Sequence, residues 1–305
     1  MISLDKIKIG LPRALFYYHY GDLLKEFLKN LDVEIIISPL SNKSIYKKGE
    51  QLAQDEMCSA LKIYFGHIDY LKDKVDYIVI PRIDNYGIDN QMCTNFMALY
   101  DIVRNSFNIK ILNFNIEYTN NEKEYNGLLK IGKELGFNEK KIKTSYVKTL
   151  KYLKMLNKQR INDNYHNLLS KKKKILLVGH PYVLYDNLLG KSLVNILQKL
   201  NIEIIFSDKF NKDLAIKESK SISKTNYFKY SKEILGSLKL AEKYINGVIF
   251  VSSFPCALDS IANELAILKC NLPCINVIID DLNNISGLET RLESFCDLIE
   301  RKKIC

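Results

Sequence analysis

The strongest constraint in this sequence is a recurring unit: a short apolar run closed by proline or glycine, a helical pattern, then another apolar run. V-E-I-I-I-S-P (33–39), V-D-Y-I-V-I-P (75–81) and I-L-L-V-G (175–179) are too short for core helices and apolar at most positions. Runs of this kind read as strands covered on both faces, as in a parallel sheet sandwiched by helices. A first strand is expected over 7–11, ended by Pro12, with Leu15, Tyr18, Leu23, Leu24, Phe27, Leu28 and Leu31 marking one side of a helix after it. Helices are expected over 41–54, with Ser41 or Asn42 as N-cap, and over 58–71. Beyond the strand at 75–81 come a polar loop (82–91), a helix (95–105) and a strand (109–114). Residues 121–170, rich in lysine, asparagine and leucine, read as one or two connecting helices. The rhythm then repeats with strands at 175–179, 202–206, 247–251 and 274–279, and helices at 188–200, 229–243, 258–269 and from about 288. The expected fold is therefore α/β. Two flavodoxin/Rossmann-like, doubly wound parallel-sheet domains face a central cleft, one over 1–165 with a helical connector from about 121, the other over 170–305. A chain of 305 residues can bury two such cores without disulfide staples.

Several function classes lack their signatures. No G-x-G-x-x-G follows a strand and no G-x-x-x-x-G-K-[ST] is present, so a dinucleotide or ATP has no phosphate loop to use. A G-x-S-x-G nucleophile elbow is missing too. The net charge of +10 comes largely from lysine, and the chain has no tryptophan and no element that interleaves basic and aromatic residues. Nucleic acid is not expected as a partner, and the run Lys171–Lys174 reads as a solubilising junction. Apolar stretches fall far short of the ~20 residues that span a bilayer, so no membrane is expected. The first ten residues mix acids and bases where a secretion signal needs an apolar core, which points to the cytoplasm.

In a reducing compartment seven cysteines read as buried thiols, metal ligands or redox groups rather than disulfides. Three stand apart. Cys58 opens the helix at 58–71, Cys93 follows the loop after strand 75–81, and Cys256 follows strand 247–251. Each falls at the expected amino end of a helix, where unpaired N–H groups lower a thiol's pKa and favour the thiolate that binds metal. Their separations are long, and no C-x-x-C supports them, so metal ligand and small buried hydrophobe remain equal readings of the residues alone. Cys270, Cys274, Cys296 and Cys305 read as filler. His180, directly after strand 175–179, shares the sheet edge of Cys256 and is a candidate acid/base or supporting donor. Arg13, after the first strand, is positioned for an anion or a cluster. His67 reads as structural.

Six motifs in order, I-G-L-P-R-A-L-F-Y-Y (9–18), D-E-M-C-S-A-L-K-I-Y-F-G-H (55–67), Y-I-V-I-P-R (77–82), G-H-P-Y-V-L-Y-D (179–186), F-P-C-A-L-D-S (254–260) and G-L-E-T-R-L-E-S-F (287–295), resemble the activase-related branch of the 2-hydroxyacyl-CoA dehydratase family. The resemblance covers about residues 7–300. It implies two facing flavodoxin-like domains and a [4Fe–4S] cluster, single or bridged double cubane, at their interface. On the matching positions its ligands are Cys58, Cys93 and Cys256, with His180 and Arg13 lining the cleft. It further implies low-potential electrons from an ATP-dependent activator and radical chemistry on an acyl-CoA. Because this chain lacks a phosphate-binding loop, that activator would be a separate protein. Ala257 and Leu258 follow Cys256 where relatives often carry glycine and proline. Homo- or heterodimers are compatible with the resemblance. Two rivals are a cluster protein that only transfers or senses electrons, and a binding module that is metal-free or holds zinc with Cys58, Cys93, Cys256 and His180.

Overall fold

A strand paired in parallel with another needs a crossover long enough to return to the same edge, and this chain supplies one after every strand but the last of each sheet. The computed structural model describes residues 6–280 and 286–301. The chain divides into two compact units, Met1–Leu156 and Asn157–Cys305. The first contains β1 (Lys8–Leu11), α1 (Tyr17–Leu31), β2 (Glu34–Ile37), α2 (Lys43–Leu52), α3 (Ser59–Leu71), β3 (Tyr77–Asn85), α4 (Thr94–Met97), α5 (Leu99–Ser106), β4 (Ile111–Glu117) and α6 (Glu124–Glu134). The long helix α7 (Glu139–Leu168) carries the point of division. The second unit continues with β5 (Lys174–Val178), α8 (Pro181–Leu184), α9 (Lys191–Lys199), β6 (Glu203–Phe206), α10 (Lys212–Ser219), α11 (Lys229–Ala241), β7 (Gly247–Ser253), α12 (Ala257–Ile267), β8 (Cys274–Ile279) and α13 (Ser286–Arg301). Each unit is an α/β layer structure around a four-stranded, wholly parallel sheet, in the orders β2-β1-β3-β4 and β6-β5-β7-β8. No helix among the described residues is long and apolar enough to cross a membrane.

The two units repeat one design down to single hydrogen bonds. Asp76, before β3, takes the Lys8 amide on its carboxylate at 2.8 Å, and Asn246, before β7, takes the Lys174 amide at 2.9 Å. Ser38 Oγ accepts the Arg13 amide at 2.8 Å; Ser207 Oγ accepts the Gly179 amide at 3.2 Å. Both serines are buried and tie the end of the second strand to the loop after the first. Before the second strand of each sheet, Asp32 (φ 69°) and Asn201 (φ 58°) take the left-handed conformation that such residues tolerate. Glycines let the paired helices between second and third strands touch: Gly66 of α3 lies against the Ile45 carbonyl of α2, and Gly236 of α11 against the Ala215 carbonyl of α10.

Four expectations are corrected. β2 is an edge strand, so Glu34 is exposed and Ile35–Ile37 only half-buried, not covered on both faces. β3 runs on to Asn85 through residues read as polar loop, because Arg82 and Ile83 continue the ladder opposite Asn115 and Ile116. The side chain of Asn85 accepts the Gly87 and Thr119 amides, giving a buried amide its partners. The helix expected over 95–105 is broken at Ala98 into α4 and α5. Finally α8 and α10 were not anticipated; α10 is opened by Asn211, whose side chain accepts the Leu214 amide at 3.1 Å.

The glycine contacts give a stability test. Gly236→Ala drives a methyl into the Ala215 carbonyl and should lower the unfolding free energy by roughly 1–3 kcal/mol. Gly287→Ala, in α13 with open space around it, should instead gain up to ~1 kcal/mol from helix propensity. Urea unfolding of the two variants checks this, and equal effects would refute the close-contact account.

Candidate functional site

In a doubly wound sheet the ligand crevice opens where strand order reverses, beyond the carboxyl ends of the two central strands. Here those strands are β1 and β3 in one unit, β5 and β7 in the other. The loop after β1 carries Arg13, and the chain after β3 leads to Cys93. The loop after β5 carries His180, and β7 leads to Cys256. The interval from Cys93 to Ile111, which opens β4, equals that from Cys256 to Cys274, which opens β8. The two cysteines thus hold the same place in the two repeats.

In the second unit the crevice is built tightly. His180 N-caps α8, and its Nε2 lies 2.9 Å from Oδ1 of Asp259 in the first turn of α12. Both side chains are about 93% buried. The His180 ring stacks on Tyr182 at 5.0 Å and 9° and meets Tyr230 edge-on at 6.2 Å. With Nε2–H donated to the Asp259 carboxylate, Nδ1 carries the lone pair, and it is buried with no hydrogen-bond partner among the described residues. Sequence reasoning assigned Asp259 no role. Its position three residues after Cys256 was visible, but its partner lies 79 residues away.

In the first unit Phe16, beside Arg13 in the loop after β1, packs on Phe96 of α4 with ring centroids 4.6 Å apart, which sets that loop against the helix Cys93 opens. The Arg13 guanidinium lies over the Tyr17 ring at 5.9 Å, and its Nε is buried without a partner among the described residues. His67, fully buried in α3, meets Ser41 Oγ through Nε2 at 3.0 Å. Burial, and then the neighbouring Arg13 charge, push its pKa down to about 3. Asp84, at the end of β3, has its pKa raised by burial despite Arg82 beside it.

Cys58, Cys93 and Cys256 are the N-cap residues of α3, α4 and α12, all in extended conformation and half-buried. The backbone carbonyl of each accepts the opening bonds of its helix, and none caps that helix through its sulfur. α3 and α12 run for several turns, whereas α4 is a single turn. Cys58 and Cys93 belong to the first unit and Cys256 to the second. Among the described residues no three His, Cys, Asp or Glu side chains are grouped to hold a metal ion. Cys270 and Cys274 are half-buried, Cys296 is buried in α13, and Cys305 lies outside the described residues.

Residues 8–210, more than half of the chain, match the family described as CoA enzyme activase uncharacterised domain (DUF2229). The chain belongs to that family. The match spans β1 to β6, so Cys58, Cys93, Arg13 and His180 fall inside the family domain and Cys256 beyond it. The family's description ties the chain to CoA-enzyme activation. No curated protein matches the sequence. Solved structures overlay only distantly. The chain is 11% identical to the nickel-bound SBP FpvC of P. aeruginosa, covering 97% of this chain and 96% of that one at a TM-score of 0.29. It is 11% identical to ZnuA, covering 97% and 99% at 0.29, and 11% identical to the laminin binding protein Lmb of Streptococcus agalactiae, covering 97% and 96% at 0.28. At such scores the overlays do not bear on fold or chemistry.

His67 supplies a pH test. The fold accepts only its neutral ring, whereas the unfolded chain takes up a proton near pH 6.5. Its neutral burial is therefore without cost above that pH, and stability is lost as pH falls from 6.5 towards 3, by about 1 kcal/mol per pH unit. Unfolding free energies measured between pH 6 and 4 should fall less steeply in His67→Gln; parallel slopes would contradict this.

Proposed function

We propose that this member of the CoA enzyme activase uncharacterised domain family is a cytoplasmic iron–sulfur protein. It takes low-potential electrons from a separate ATP-dependent activator for reductive or radical chemistry, with an acyl-CoA as substrate. The observation that carries this reading is the placement of Cys58, Cys93 and Cys256. Each is half-buried at the residue opening a helix, and Cys93 and Cys256 are at equivalent points of the two repeats. The donor chemistry suits the group, since three thiolates can hold a [4Fe–4S] cluster and leave one iron for an exchangeable ligand. When bound, such a cluster supplies one-electron transfer at low potential. The chain's own residues do the rest. The amino ends of α3 and α12 stabilise thiolates. Asp259 fixes the His180 ring with its proton at Nε2, so that Nδ1 can accept a proton, while Tyr182 and Tyr230 keep water from the ring. Arg13 offers a fixed positive charge to an anionic group.

One observation favours a second reading. A histidine that ligates through one nitrogen usually gives its other N–H to a carboxylate, and the His180–Asp259 pair has that form. His180 Nδ1 with the three thiols would make a zinc set.

Anaerobic purification and cluster reconstitution, followed by metal and sulfide analysis, separate the two. The proposal expects about four irons and four sulfides per chain, lost in Cys256→Ala and kept in Cys305→Ala. Under about one iron per chain, or stoichiometric zinc in its place, overturns it. Turnover of an acyl-CoA with activator, ATP and reductant then distinguishes an enzyme from an electron carrier.

A further inference from the structure

α12 turns its polar face inward. Asp259, Asn263 and Ala266 are its buried residues, while Leu258, Ile261, Ala262 and Leu265 form an apolar stripe at i, i+3, i+4 and i+7 on the other side. Ile261 is 63% exposed and Leu265 40%. The stripe is one wall of a cavity of about 220 Å³. Ser231 and Leu235 of α11 make a second wall, and the loop over 223–228, all but Lys224, makes the third. Two contacts shape and hold that loop. Lys269 Nζ, just past the end of α12, donates to the Ile222 carbonyl at 2.6 Å, and the Phe228 amide donates to Asn226 Oδ1 at 2.9 Å. The cavity has depth: Leu235 is only 1% exposed and belongs to the core of the second unit. Reaching it takes an inserted group rather than a surface laid across the stripe.

We propose that this cavity binds a medium-chain aliphatic carboxylate, with its tail among Leu235, Leu258, Ile261 and Leu265 and its head at the loop beside Lys224. Size, lining and charge each point that way. An apolar cavity of ~150 Å³ takes up benzene, so at roughly 25 Å³ per carbon this one has room for about eight carbons. The lining holds no charged side chain. Its polar groups are few, chiefly the hydroxyls of Ser223 and Thr225 and the amide of Asn226, all on the loop. An apolar chamber with polar groups gathered on one side suits an alkyl tail that ends in a polar head.

The sign of that head follows from the surroundings. Residues 217–232 carry five lysines and a single acid, Glu218. Lys229 is held by Glu233 of α11. Lys224 is exposed between two lining residues and is in no ion pair among the described residues. A carboxylate at the loop therefore meets a cation that no acid of the fold engages. The site lies on the opposite face of α12 from Asp259 and needs no cluster, so its failure would leave the reading of the three cysteines untouched.

The test is calorimetric titration of octanoate into the full chain. One site per chain is expected, with a negative heat-capacity change from apolar burial. Hexanoate, two methylenes shorter, should bind roughly fifteen-fold more weakly. Octylammonium, of equal length and opposite charge, should bind more weakly than octanoate, and Lys224→Glu should invert that order. Ile261→Asp, at an exposed position, sets a like charge in the wall and should abolish octanoate binding. Ala262→Phe, which fills the cavity, should do the same, while Leu214→Ser, exposed on α10 and outside the lining, should leave binding unchanged. Circular dichroism checks that each variant is folded. No octanoate binding, equal affinity for hexanoate, undiminished binding in Ile261→Asp, or a head-group order that Lys224→Glu leaves unchanged overturns the proposal. So does a dimer, detected by sedimentation in a chain that binds no octanoate and dissociated by Ile261→Asp, since a second copy then covers the stripe.

Discussion

Parallel pairing is the constraint on which the rest depends. Two neighbouring strands that run the same way cannot be joined by a turn, so each crossover carries the chain over a face and back to the same edge. All the loops that leave strands therefore gather at one carboxyl edge, and reversal of strand order splits two of them apart. The positions of Arg13, Cys93, His180 and Cys256 follow from that geometry rather than from local preference, since each leaves a central strand of its sheet. The paired amide-to-side-chain bonds at Asp76 and Asn246, and at Ser38 and Ser207, hold those loops in place.

The second unit shows how such a loop becomes a chemical environment. A histidine buried in apolar surroundings is costly unless its polar atoms find partners. His180 has one, Asp259, and its other nitrogen is left without one among the described residues. His67 is alike in having one partner, Ser41, and an Nδ1 buried without one among the described residues, and there burial, then the nearby Arg13 charge, keeps the ring neutral.

Strands were the most legible part of the sequence, because an apolar run bounded by Pro39, Pro81 or Gly179 leaves few alternatives. The N-capping places of Cys58, Cys93 and Cys256 were legible for the same reason, as each precedes a helical pattern. What escaped was whatever depends on distant residues. Arg82–Asn85 look like a loop until β4 pairs with them, and Glu34–Ile37 look central until the strand order puts them at an edge. The bond between His180 and Asp259 is a three-dimensional fact; in sequence it is two unrelated polar residues.

The glycine contacts bear on the order in which this chain folds. α2 and α3 are neighbours in sequence, as are α10 and α11, so the Gly66 and Gly236 contacts close short loops. The sheets need β1 to find β3 and β5 to find β7 across long stretches of chain, which costs more entropy and takes longer. Each half therefore carries a local helical hairpin that can dock before its sheet exists, and a nascent chain can complete the first before the second has left the ribosome.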